Sequence, residues 1–416
     1  MTLMLTAEER AIAAGTDGAA MAMRIVAEAA RLMGAPRLIP IASAHIDGAL
    51  YHGDSGTLFA ERLVEGSARV SVRATLNVGA LDLTGCARVR LEQPARTMAA
   101  RMMSAYRTLG CEPTWTCAPY QAGHRPARGT DVAWGESNAV VFCNSVLGAR
   151  TNRYGDFLDI ACAIAGRAPD YGLHRPENRK ATIVFDVSGL PSDFLEADFA
   201  WPILGSLYGR EVGDAIGVVA GVGGSPDEDA LKAFGAAAAS TGAVGLFHIA
   251  GVTPEAADVE TAMDHAEPAE VIRVDIGMVA HARARLSTAE RPDRIDAVAI
   301  GSPHLSSEEL VRLERLVGGR RLAVPIYACT GRHVLASLSS DRRVALEKTG
   351  VILVADTCVV VTPIMPALAD GVLMTNSGKF AHYAPGNTGY SVLYGSLAEC
   401  VESAVSGRPQ WTGSLS

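Results

Sequence analysis

Cys117, Cys329 and Cys358 stand alone in the chain, each in a polar turn beside an apolar stretch: TWTCAPY, PIYACTGR and VADTCVVV. Three thiolates gathered by folding can hold an iron–sulfur cluster and leave one iron open. An open iron is a Lewis acid toward a substrate hydroxyl. The alternative is three small buried core residues, the usual fate of a cysteine outside a disulfide. No CxxC pair occurs among the eight cysteines, so neither a zinc ribbon nor a ferredoxin-type run is supported. Cys143 and Cys162, in VVFCNS and DIACAIAG, read as core, as do Cys86, Cys111 and Cys400.

Two further segments are unlike ordinary scaffold. ESNAVVFCNSVLGARTNR bunches Ser145, Arg150, Thr151, Asn152 and Arg153 after an apolar run. Arginine suits a carboxylate held by two parallel hydrogen bonds; a solvated helix end reads equally well. In TNSGKFAHYAPGNTGY, Ser377-Gly378-Lys379 follow the strand-like GVLMTN, so backbone N–H groups and one cation could face an anion. A helix-capping turn with a surface lysine is the alternative. His45 and Asp47 in SAHIDG, with Thr75 and Asn77 in ATLNVG, could line the same pocket. GVGGS at 221–225 does not meet the dinucleotide fingerprint, and Walker, HExxH, GxSxG and kinase motifs are absent.

The elements that must position these groups follow from periodicity. Thr6-Ala-Glu-Glu9 is a capping box that opens a helix running to about Gly34, with Gly15 and Gly18 as weak points. RLIPIASAHI and the alternating RVSVRATLNV read as strands, 94–109 as a helix, and TWTCAPYQAGHRPARGTD as a loop. From about Ala181, apolar runs such as ATIVFDV, AIGVVAGV, AVGLFHIA, DAVAIGS, LAVPIYAC and GVILVADT alternate with helical stretches. That is a βαβ series of buried parallel strands, and the class is α/β. Ligands of such sheets bind at the carboxyl ends of strands, where Cys329 and Cys358 fall in successive units. Two regions are expected, 1–180 with Cys117 and 181–416 with Cys329, Cys358 and the Ser-Gly-Lys loop. A net charge of −8 disfavours nucleic acid and anionic membrane as partners. The N-terminus lacks a signal-peptide pattern and no apolar run approaches about 20 residues, which points to the cytoplasm.

Taken in order, SAHIDGALYHGDSG, RATLNVGALDL, TCAPYQ, GESNAVVFCNSVLGARTNRYGD, ACTGR, ADTCVVVTPI and TNSGKFAHYAPG resemble the large, catalytic portion of the aconitase X family over nearly the whole chain. The resemblance implies aconitase-like α/β/α domains with largely parallel sheets, hydro-lyase (dehydratase) activity, and a three-cysteine cluster site at Cys117, Cys329 and Cys358. Two-, three- and four-iron clusters (2Fe-2S, 3Fe-4S, 4Fe-4S) all suit three cysteines. Members dehydrate cis-3-hydroxy-L-proline in bacteria and mevalonate 5-phosphate in archaea. The first is the expected substrate here and the second the alternative; a cluster-free binding or scaffold protein of the same fold is a third reading. On this resemblance Ser145, Arg150 and Lys379 form the catalytic set, with Arg150 and Lys379 anchoring a carboxylate. His45, Thr75, Asn77, Asn152, Thr330 and Ser377 line the substrate site. The family also has a small swivelling domain, fused or separate, which supplies a catalytic serine. With RPQWTGSLS at the end of the sequence, that domain is expected as a partner subunit.

Overall fold

The computed structural model describes residues 2–411, so the last residues of the RPQWTGSLS segment lie outside them. The chain divides into two compact units. One holds the chain up to Leu81 together with Leu91–Lys180; the other holds Asp82–Arg90 and the chain from Ala181 onward.

In the first unit, Thr6 and Glu9 cap each other reciprocally, but the helix they open is short, Ala7–Ala13. A second helix, Gly18–Leu32, starts on the Asp17 side chain, which accepts the Ala20 N–H at 2.8 Å. The expected single helix is therefore broken, because an aspartate N-cap competes with helix continuation. RLIPIASAHI likewise splits into β1 (Leu38–Pro40) and β2 (Ser43–Ile46). Of RVSVRATLNV only β3 (Arg73–Leu76) is strand. Strands β2 and β3 pair in parallel, as do β2 and β4 (Ala133–Trp134), in the order β3-β2-β4. Strand β1 pairs antiparallel with β5 (Arg167–Pro169).

The second unit contains two all-parallel sheets. One runs β8-β7-β6-β9, from β6 (Ile183–Asp186), β7 (Gly217–Ala220), β8 (His248–Ile249) and β9 (Glu270–Arg273). AVGLFHIA thus contributes only two strand residues. The other runs β12-β11-β10-β13-β14, from β10 (Ala297–Leu305), β11 (Ile326–Thr330), β12 (Val351–Ala355), β13 (Val372–Thr375) and β14 (Ser391–Tyr394). Helices cover these strands, so Val298, Ile326 and Val354 are fully buried and the runs are continuously apolar. Capping sets the helix starts: Asp227 caps Glu228–Thr241 and Ser306 opens Ser307–Val317 with a capping box. Among the described residues no helix is long and apolar enough to cross a membrane.

Candidate functional site: a thiol pair at parallel strand ends

Strands β11 and β12 carry two of the three cysteines to their carboxyl ends. Cys329 is the penultimate residue of β11, and Cys358 lies three residues past β12. Pairing in register, Thr330 with Ala355, brings the two loops together. The ACTGR and ADTC motifs then lock through Arg332, which grips both oxygens of buried Asp356 at 2.7 Å each. Asp356 turns the chain with φ +64°. Gly301 at the bend of β10 has φ +88°, and a Cβ there would stand 2.1 Å from the Cys329 carbonyl oxygen, so only glycine fits.

The thiols of Cys329 and Cys358 are in hydrogen-bond contact. That contact lowers the Cys358 pKa in spite of burial, helped by the Val360 N–H, the Lys379 charge and Ser302. Cys111, Cys143, Cys162 and Cys400 are also buried, but burial pushes each of those thiols up. All eight cysteines are outside any disulfide. A buried thiol pair surrounded by donors and a cation is the environment that stabilises metal-bound thiolates. The donor chemistry therefore fits a thiophilic iron site. Among the described residues no three or more His, Cys, Asp and Glu side chains are grouped as a metal site. The second unit supplies the pair.

Cys117 lies in the first unit. Its segment runs beside β3, with Glu112 bridging Thr75 and the Thr116 N–H donating to the Leu76 carbonyl at 3.1 Å. Buried Cys117 is thereby delivered to the carboxyl end of β3, and its own carbonyl accepts Asn138 Nδ2 at 3.0 Å. The same sheet end carries Asp47 and Asn77, whose Nδ2 donates to Asp47 Oδ1. Asn77 Oδ1 is buried without a hydrogen-bond partner.

Ser145 ends the helix Ser137–Ser145, which is buried from Asn138 onward. Beyond it the chain is held from within as far as Thr151, while Arg153 is exposed. Buried Arg179 donates to Asn144 Oδ1 at 3.0 Å and to the Asn144 and Ala149 carbonyls, while Asn144 Nδ2 holds the Thr151 carbonyl at 2.9 Å. This fixed loop presents Arg150, whose Nε is buried with no hydrogen-bond partner.

Several expected substrate residues make hydrogen bonds within the fold. Asn152 Nδ2 donates to the Tyr171 carbonyl and its Oδ1 accepts from the Leu173 N–H, both at 2.9 Å. Thr330 is fully buried and donates to the Leu305 carbonyl at 2.8 Å. Ser377 is the N-cap of Gly378–Thr388, accepting from the Phe380 N–H and donating to the Ser302 carbonyl. Ser377 thus caps this helix, with half-buried Lys379 in its first turn. His45 and Thr75 are fully buried in a chain from Ser43 through His124 and Thr75 to His45, with links of 2.8, 2.8 and 2.9 Å. Burial holds His45 well below its usual pKa and His124 at about 4, so both are neutral.

Sequence reading missed Ser302, His304, Lys232, Asp159 and His333. Asp159 accepts the Asp47 and Gly48 N–H groups at 2.6 and 3.1 Å, and burial lifts its carboxyl to about 8. Both His333 ring nitrogens are buried without partners. The GSP trio within DAVAIGSPHL was the available signal for Ser302. A cavity of about 640 Å³ in the second unit is walled by Ser302, Asn376 and Ser377 on one side. Glu196, Asp198, Asp227, Asp229, Glu308, Glu309, Lys232 and Arg312 supply its charges.

Family models for the aconitase X first, second and third domains match residues 2–177, 181–284 and 295–406. The chain is 42% identical to a cis-3-hydroxy-L-proline dehydratase of Pseudomonas aeruginosa, covering 98% of this chain and 72% of that protein. It is 39% identical to one of Hypocrea jecorina, covering 98% and 69%. Its identity to a phosphomevalonate dehydratase large subunit of Methanothermobacter thermautotrophicus is 37%, covering 89% and 91%. A crystal structure of Thermococcus kodakaraensis aconitase X in its holo form superposes with a TM-score of 0.85 at 32% identity, over 97% of this chain and all of that one. With three consecutive domain models matched over nearly the whole chain and parallel α/β sheets throughout the second unit, this chain belongs to the aconitase X family.

Proposed function

We propose that this chain is the catalytic large subunit of an iron–sulfur-dependent dehydratase acting on cis-3-hydroxy-L-proline. The observation that carries the reading is the identity of 42% and 39%, over 98% of the chain, to two dehydratases of that name.

Cys329 and Cys358, with Cys117 as third ligand, would hold the cluster. When bound, it supplies a Lewis acid for the departing hydroxyl. Arg150, with its unpartnered buried Nε, is assigned the substrate carboxylate, and Lys379 adds positive charge beside the thiols. Ser145 and Asn77 complete the polar lining. The substrate loses its α-proton to a base and its 3-hydroxyl as water, and the resulting enamine tautomerises to 1-pyrroline-2-carboxylate. A serine on a small partner subunit is the proposed base. Its support is that relatives matched along nearly their whole length are named large subunits. Eight thiols in no disulfide go with a cytoplasmic setting.

The test is anaerobic purification, iron and sulfide analysis, and turnover of cis-3-hydroxy-L-proline and of mevalonate 5-phosphate with a small subunit present. Iron bound by the wild type and lost on Cys329→Ser and Cys358→Ser, with turnover of the first substrate only, is expected. Equal iron in those variants, or turnover of mevalonate 5-phosphate alone, refutes the reading.

A further inference from the structure

Lys232 is an unusual helix side chain, because only 2% of it is exposed and acceptors surround its ammonium. It donates to Asp229 Oδ1 at 2.8 Å, to Glu309 Oε2, and to the His304 carbonyl at 3.3 Å. Ser306 Oγ closes the ring on Asp229 Oδ2 at 2.6 Å. A buried ionic triad contributes little net stability, since desolvation offsets most of the attraction and apolar replacements of the whole set are often as stable. Its local effect is more specific: it clamps the turn that follows the bend of β10.

That turn reaches the thiol pair twice. His304, fully buried, contacts the Thr357 carbonyl through Nε2 at 3.1 Å, one residue before Cys358. A carbonyl only accepts, so Nε2 carries the proton. Two residues earlier, Ser302 hydrogen-bonds the Cys358 thiol and its carbonyl accepts from Ser377 Oγ. Continuous contact thus runs from the helix Glu228–Thr241, through Lys232 and His304, to the backbone that carries Cys358.

We propose that Lys232 and His304 are positioning residues that hold Cys358 beside Cys329, so that the pair is pre-organised to take a thiophilic metal. Neither side chain is assigned as a ligand; Lys232 fixes the His304 carbonyl and His304 fixes the Thr357 carbonyl. The inference rests on the reading that Cys329 and Cys358 are ligands. It adds that their spacing is set by a buried ionic cluster on a different helix. The ring of acids serves to fix the Lys232 ammonium in place, which a lysine with free rotamers could not do.

The test uses the full-length apo chain and Cd2+ as probe, with affinity read from the thiolate-to-metal absorption band. His304→Leu and the triple variant Asp229→Asn/Lys232→Met/Glu309→Gln are expected to bind Cd2+ about tenfold or more weakly, the scale of lost ligand-supporting contacts. His304→Gln, which returns an N–H donor near Nε2, is expected to recover most of that affinity. Visible circular dichroism of the reconstituted chain should change in the first two variants and not in the third. Wild-type affinity in the triple variant overturns the proposal, as does an equal loss in His304→Leu and His304→Gln. If His304→Leu fails to fold, the triple variant decides alone. Cys358→Ser separates the two layers. If it binds Cd2+ as the wild type does, the ligand reading fails and the relay with it. If it weakens binding while the relay variants do not, the relay alone fails.

Discussion

Replacing Arg332 with alanine removes both hydrogen bonds to Asp356 and leaves a fully buried carboxyl without its cation. Each charge-assisted bond contributes about 1.5–3 kcal/mol. The guanidinium is 36% exposed, which places this pair at the lower end, and the stranded carboxyl can take up a proton. A net loss of about 2–3 kcal/mol follows, or a melting midpoint lower by about 4–10 °C. The pH dependence is the sharper part. Burial already raises the Asp356 pKa, and Arg332 opposes that rise. Without Arg332 the carboxyl rises further. A carboxyl whose folded pKa exceeds its unfolded value of about 4 costs stability above the folded pKa. The cost fades as pH falls toward the unfolded value. Thermal melts of Arg332→Ala and wild type should therefore differ most near pH ~7 and converge toward pH ~4. A midpoint difference of less than about 1 °C at neutral pH, or one of equal size at both, refutes the argument.

Four further outcomes are expected. Asp159, lifted to about 8 by burial, should make the wild type lose stability relative to Asp159→Asn as pH rises between about 4 and about 8, measured by denaturation at several pH values. Gly301→Ala should cost about 2–4 kcal/mol because its Cβ meets the Cys329 carbonyl. Gly223→Ala, with open space around its Cβ, should change the melting midpoint little. Arg150→Lys should raise KM for the carboxylate substrate about tenfold with a smaller change in kcat, since an ammonium cannot reproduce a planar fork.

The strand ends were legible because buried parallel strands are continuous Val, Ile and Ala runs, and these place Cys329 and Cys358 without any local motif. Polar roles were harder to read. Asn152, Thr330 and Ser377 hydrogen-bond Leu173, Leu305 and Ser302, which lie 21, 25 and 75 positions away and are announced by no local pattern. Lys232 was hidden for the opposite reason. In PDEDALKAFGAAAA it reads as a solvated helix face, and only Glu309, 77 positions on, shows it to be interior. Alternation misled in RVSVRATLNV, where a side-chain pattern ten residues long accompanies four residues of ladder.

The excursion of Asp82–Arg90 into the second unit has a consequence in time. Arg90 donates to the carbonyls of Pro363 and Ile364, at 2.7 and 3.0 Å, and Cys86 contacts Arg343 at 3.0 Å. Ile364 lies 274 positions after Arg90, and Arg343 lies 257 positions after Cys86. During synthesis the segment must wait, unplaced, while more than half of the protein is made. Asp356, which also takes the Leu83 N–H, is completed by the same late event. The Cys358 loop is therefore among the last parts of the chain to be finished, so the thiol pair is assembled after translation and not alongside it.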